Sequence, residues 1–258
     1  MLKEIDSIPL EERWVAFEIL EDFLSQAHSP ALETISQNIY RAPPCGMTEF
    51  LENPFYLGQF SKTIFPTIKA DLTEVFEGNY TTAIWGGSLG GGKSTAGVLA
   101  LIRMIYEVSC LRDPHETYRI SSSDYLMFPG ISSTEGVAER NILDKIRSIV
   151  DSSDYFQKHF KPQKDSMAQG ILFPSRILVP PGTSTSSQLI GGNIGGCFLD
   201  EGNFFPKRNQ SPNRSGEIKE NIETIYESIK RRIESRFTSL GRLPGLIAIS
   251  SSKTTPGA

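Results

Sequence analysis

Four glycines, Gly87, Gly90, Gly91 and Gly92, crowd into a short stretch that runs directly into Lys93 and Ser94. A segment so poor in side chains cannot continue a strand or begin a helix cheaply, so it is a turn. Tyr80-Thr81-Thr82-Ala83-Ile84-Trp85 before it is β-prone. Ser94 to Glu107 after it carries Val98, Leu99, Ile102, Ile105 and Tyr106 at helical spacing. The spacing therefore predicts strand, tight loop, helix, which is the context that the pattern G-x-x-x-x-G-K-S requires.

Glycines at these positions let consecutive backbone N–H groups turn inward around an anion. The helix that follows presents its positive end to the same place. Gly87, Ser88, Leu89, Gly90, Gly91, Gly92, Lys93, Ser94 and Thr95 are thus the candidate cradle for ATP. Lys93 can reach the β- and γ-phosphates, and the Ser94 hydroxyl can ligate Mg²⁺.

Hydrolysis needs a second metal ligand and a group that orients water. Gly196-Cys197-Phe198-Leu199 is a short apolar strand ending in Asp200-Glu201. Asp200 is the candidate magnesium carboxylate and Glu201 the group that aligns the attacking water or takes its proton. The other reading is an acidic pair opening a surface loop; its place about a hundred residues after the glycine loop favours the first.

Around these motifs the chain alternates. Tyr118–Phe128 reads as a strand, Glu135–Val150 as a helix, and 151–170 as a polar loop. Ile171–Phe173 and Arg176–Val179 read as a hairpin, 217–237 as a helix, and Leu246–Ile249 as a last buried strand. Alternation of this kind implies a mainly parallel sheet covered on both faces. Near the start, Leu10, Trp14, Phe17, Leu20 and Leu24 form one apolar helical stripe, and 28–50 reads as a connector. The expected division is a small helical N-terminal extension with its connector over 1–45 and the nucleotide-binding domain over 46–258.

Composition bears on partners. A formal net charge of −4 over 258 residues excludes a uniformly basic surface, though a local cluster can still touch phosphates. Lys158, Lys161 and Lys164 are one such set, with simple surface charge as the alternative. Three scattered cysteines suit a reducing compartment. The N-terminus lacks the apolar run of a secretory signal, and no membrane span is predicted.

With both motifs placed, residues 50–258 resemble the N-terminal ATPase domain of the large terminase subunit of tailed bacteriophages. The resemblance rests on the glycine loop, the polar 182–195 segment leading to Leu199, and Asp200-Glu201-Gly202-Asn203-Phe204-Phe205. It rests also on Leu246-Ile247-Ala248-Ile249-Ser250-Ser251-Ser252. It implies a three-layer α/β P-loop NTPase of the additional-strand, catalytic-glutamate (ASCE) type. It also implies ATP hydrolysis driving double-stranded DNA into a procapsid in the host cytoplasm, through weak, sequence-independent contacts. Implied partners are the portal protein, the small terminase subunit and copies of the chain itself, arranged as a ring when working and monomeric in isolation.

The resemblance assigns Ser250, Ser251 and Ser252 to the coupling motif, and Gln59 with Tyr56 to adenine contact. Two departures stand out. Ser88-Leu89-Gly90-Gly91 carries no basic residue, and Gln188-Leu189-Ile190-Gly191 has no arginine where many relatives place one. A charge-stabilising arginine must then come from Arg140, Arg176, or the Lys230, Arg231, Arg232, Arg236 cluster, or from a neighbouring subunit. That cluster also suits a plain solvated helix, acidic first and basic last. Large terminases continue into a nuclease domain that 258 residues do not accommodate, so an excised ATPase fragment is expected. The competing expectations are another helicase-like or RecA-like P-loop ATPase, or a nucleotide-dependent assembly module.

Overall fold

The computed structural model describes residues 39–78, 80–88, 90–163, 170–180, 192–206, 221–237 and 243–252. The apolar stripe at 10–24, Leu89, Lys164, most of 182–195 and the acidic start of the 217–237 helix lie outside them.

Eight strands are described: β1 (Thr82–Gly87), β2 (Leu126–Met127), β3 (Gly130–Ile131), β4 (Ile171–Phe173), β5 (Ile177–Val179), β6 (Asn193–Ile194), β7 (Cys197–Leu199) and β8 (Ile247–Ser252). They pair in the orders β1-β8-β7-β3 and β4-β5-β2-β6. Every pairing is parallel except the β4–β5 hairpin. Only Phe128-Pro129 separates β2 from β3, and only Gly195-Gly196 separates β6 from β7. Backbone bonds from Gly195 N–H to the Met127 carbonyl (2.9 Å) and from Phe198 N–H to the Pro129 carbonyl (3.0 Å) carry the pairing across both gaps. Pro129 has no N–H to give and the glycines no side chain to pack, so the ladder bends here.

The expected three-layer α/β arrangement is present, and the last strand in sequence, β8, lies between β1 and β7. Both β7 and β8 are buried along nearly their whole length. That is the mark of central parallel strands covered on two sides.

Six helices matter for the site: α1 (Met47–Glu52), α2 (Pro66–Glu77), α3 (Lys93–Ser109), α4 (Asp144–Ser152), α5 (Asp154–His159) and α6 (Ile222–Phe237). The longest, α3, lies close on the sheet because small residues face it. A Cβ at Gly97 would sit inside the Phe198 ring, and Cβ atoms at Gly196 and Gly245 would strike Met104. Beyond its far end, Arg41 N–H donates to the Cys110 carbonyl (2.7 Å) and Cys45 N–H to the Tyr106 hydroxyl (2.9 Å). The connector is thus fastened to α3.

Three expected elements differ. The strand expected over Tyr118–Phe128 shortens to Leu126–Met127. Its first half is a set of turns held by a hydrogen bond between His115 Nε2 and the Asp124 carbonyl (3.0 Å). The loop expected over 151–170 contains α5, because Ser153 Oγ caps it from Phe156 N–H (3.2 Å) and Phe156 enters the core. The helix expected over Glu135–Val150 is broken by a π-helical turn at Glu139–Leu143. No helix among the described residues is long and apolar enough to cross a membrane.

Burial pushes the thiols of Cys110 and Cys197 up from their ordinary value, which keeps them protonated at neutral pH. Maleimide labelling of the folded protein is expected to modify half-buried Cys45 and to spare both until denaturant is added. Rapid labelling of Cys197 in the native state would contradict this packing.

Candidate active site

Because β1, β8, β7 and β3 run in parallel, their carboxyl ends share one edge of the sheet, where open α/β sheets place their ligands. The glycine loop follows β1, Asp200 and Glu201 follow β7, and Ser250 to Ser252 close β8. Residues a hundred and more positions apart in sequence thus meet.

The loop adopts left-handed backbone at Gly90 (φ 81°) and Gly92 (φ 77°), which glycine permits at little cost. Gly92 is the residue before α3, so the helix begins at Lys93 with its amide groups open toward the loop. Lys93 Nζ folds back to the carbonyls of Gly87 (3.3 Å) and Ser88.

Ser94 Oγ donates to Asp200 Oδ1 at 2.8 Å. Ser250 Oγ donates to the same oxygen at 2.7 Å and accepts the Glu201 backbone N–H at 3.1 Å. Asp200 is completely buried, yet its Oδ2 has no hydrogen-bond partner; Glu201 Oε2 is likewise buried and unpartnered. A carboxylate oxygen left without a donor in the interior is costly, and a cation or a water satisfies it. Among the described residues no three His, Cys, Asp or Glu side chains converge as a metal cage. Ser94 and Asp200 alone fit a hard divalent ion whose remaining ligands are water and substrate phosphate, as Mg²⁺ prefers.

Glu201 itself sits in the left-handed region (φ 54°, ψ 51°). A non-glycine residue there stores about 1–3 kcal/mol, and such strain concentrates at functional sites. It turns the chain back over β8 through the short Gly202–Phe204 helical turn.

The nominated serines lie along the loop's own strand, since Ser250, Ser251 and Ser252 are in register with Trp85, Gly86 and Gly87. Tyr56 is not brought to the loop. Tyr56 packs against Tyr106 and Tyr155 at ring distances of 5.2 and 5.7 Å, and burial followed by Cys45 raises its hydroxyl to about 12. Tyr106 lies about 20 Å along α3 from Lys93 at 1.5 Å per residue, too far for a base whose phosphates sit in the loop. Gln59 is exposed beside Gly58, which packs against Ser152 at the end of α4. The residues that flank Gly92 are Phe65 and Ile68, and Phe65 is 58% exposed. Sequence reading missed Phe65; its only signal was an aromatic residue just before Pro66 at the start of α2.

The nominated arginines also separate. Arg140 is exposed on the π-helical turn soon after the carboxyl end of β3. Arg176 precedes β5 at the opposite edge of the sheet and stacks 4.1 Å over Tyr125. On α6, Ile222 faces Gly202 near the acidic pair, and Tyr226 already lies beside Thr82 at the amino end of β1 (3.5 Å). Arg231, Arg232 and Arg236 lie further still from the loop. Of the named arginines, only Arg140 follows the carboxyl end of a strand in the sheet that carries Asp200.

The family model described as the N-terminal P-loop domain of uncharacterized protein MJ0330 matches residues 20–253. Among solved structures, the chain is similar to the large terminase of the thermophilic bacteriophage D6E. In complex with ADP that protein shows 13% identity and a TM-score of 0.40 over 73% of this chain and 38% of its own. A second crystal form gives 10% and 0.36 over 83% and 39%. The chain therefore spans less than two thirds of the length of those terminase chains. No curated protein matches it.

Proposed function

Since this chain belongs to the MJ0330 N-terminal P-loop domain family, we propose that it hydrolyses ATP and converts the energy into movement of double-stranded DNA. The observation that carries the hydrolytic part is the Ser94–Asp200–Ser250–Glu201 network at the mouth of the glycine loop. The loop amides and Lys93 hold the phosphates and neutralise their charge. Ser94 and Asp200 would hold Mg²⁺, which would supply positive charge to offset that of the phosphates. Glu201 orients the attacking water and accepts its proton, with Ser250 fixing both acidic residues relative to each other. Phe65, exposed against Gly92, offers a stacking face for the base in place of Tyr56.

The DNA-packaging part rests on sequence: the Asp200-Glu201-Gly202-Asn203-Phe204-Phe205 stretch and the serine-ended strand resemble those of large terminases. On this reading the chain works in a ring of its own copies, docked on a portal protein and served by a small terminase subunit in the host cytoplasm. Arg140, or an arginine from the adjoining copy, stabilises charge in the transition state. Contacts to DNA go to phosphates and weaken steeply with salt.

Phosphate release measured with and without linear double-stranded DNA and empty procapsids tests the proposal. Turnover is expected to require Mg²⁺ and to rise when both are added. Turnover indifferent to DNA and procapsids would favour a nucleotide-dependent assembly module.

A further inference from the structure

We propose that Asn203 senses the terminal phosphate of the bound nucleotide through its side-chain amide nitrogen, an inference that rests on the triphosphatase reading above.

The left-handed Glu201 delivers Asn203 to the end of β8, where its Oδ1 accepts the backbone N–H of Ser252 at 3.2 Å. A backbone N–H can only donate, so the amide oxygen must face it and the orientation of the side chain is fixed by chemistry. That leaves Nδ2 as a committed donor. It is buried and has no partner. Ser252 Oγ, on a residue only 5% exposed, is also buried and unpartnered. A buried polar group without a partner is unfavourable unless something fills the gap.

Ser252 is in register with Gly87, where the glycine loop opens, and Lys93 reaches the carbonyls of Gly87 and Ser88. The unpartnered oxygens of Asp200 and Glu201 are acceptors and suit a cation and a water. The amide of Asn203 is a donor and suits an anion. The inner phosphates are enclosed by the loop amides. Asn203 arrives instead from the acidic strand, on the side where the terminal phosphate meets Glu201. Its two ends then do two things: Nδ2 binds the terminal phosphate, and Oδ1 holds the last residue of β8. Loss of that phosphate is felt directly by the strand packed between β1 and β7.

Asn203→Asp keeps the size and the acceptor for Ser252 N–H but replaces the donor with an oxygen that repels phosphate. Affinities for ADP and for the β,γ-imido analogue of ATP, both with Mg²⁺, are read by competition against a fluorescent ADP. The analogue is expected to bind about tenfold more weakly than to wild type, as loss of a hydrogen bond to a charged group implies, with ADP unchanged. Equal weakening of both nucleotides, or of neither, would overturn the assignment. Should Asn203→Asp fail to fold, Asn203→Ala serves. It removes the donor without adding a repelling oxygen, and it is expected to weaken the analogue about threefold and ADP not at all. An unchanged ratio there overturns the assignment too. Wild type that binds neither nucleotide overturns the triphosphatase reading and this one together, whereas normal wild-type binding with unaffected variants overturns only the role of Asn203.

Discussion

Glu201→Gln is expected to leave ATP bound and to slow its hydrolysis by about 10²–10⁴-fold, the range a positioned general base supplies. The expectation follows from what the substitution leaves alone. The lysine, the glycine loop and the Ser94–Asp200 contact of 2.8 Å do not involve the Glu201 side chain. Its backbone N–H remains bonded to Ser250 Oγ, and the left-handed turn belongs to the backbone. Glutamine has nearly the same shape but no basic oxygen. Binding and chemistry should therefore separate in single-turnover experiments, with nucleotide retained and phosphate release lost. A Gln variant that turns over at the wild-type rate would mean that another group positions the water.

The parts of this site that were legible in the sequence are those whose chemistry is local. The glycine loop is written in consecutive residues because backbone conformation and a helix start are properties of neighbours. Asp200-Glu201 was legible because an apolar strand must end before an acidic pair can meet solvent or metal. The long-range relations were not. Nothing near Leu246–Ser252 states that this strand inserts between β1 and β7, yet that insertion brings Ser250 to Asp200. Tyr56 misled for a related reason. An aromatic residue upstream of the loop reads equally as a base contact or as an ordinary amphipathic helix start, and here Tyr56 packs half-buried against Phe50, Tyr106 and Tyr155. The α5 helix was missed because a six-residue segment has little periodicity, and its cap at Ser153 was the one local signal. Asn203 had no signal beyond its place after the acidic pair, since its partner lies 49 residues away.

Gly97→Val is expected to damage stability and catalysis together. Gly97 stands one turn after Ser94 on α3, and there a Cβ would sit inside the ring of Phe198, which is 0% exposed on β7. Valine keeps that Cβ in every rotamer and adds two methyl groups, so the buried ring or α3 must shift. Overpacking of this kind costs about 1–3 kcal/mol, occasionally more. Glycine is itself a poor helix former, by roughly 1 kcal/mol against alanine, so a substitution in open space would stabilise instead. The sign of the change therefore reports the packing. Because Phe198 is two residues before Asp200, a lift of α3 also lengthens the Ser94–Asp200 contact and loosens the metal ligands. Urea denaturation should show a lower midpoint with an unchanged slope, and ATP turnover should fall with it. Pairing Gly97→Ala with Phe198→Leu, which makes room at the contact, is expected to destabilise less than the sum of the two single changes. Strict additivity would mean that the helix and the acidic strand do not bear on each other here, and that Ser94 reaches Asp200 by some other constraint.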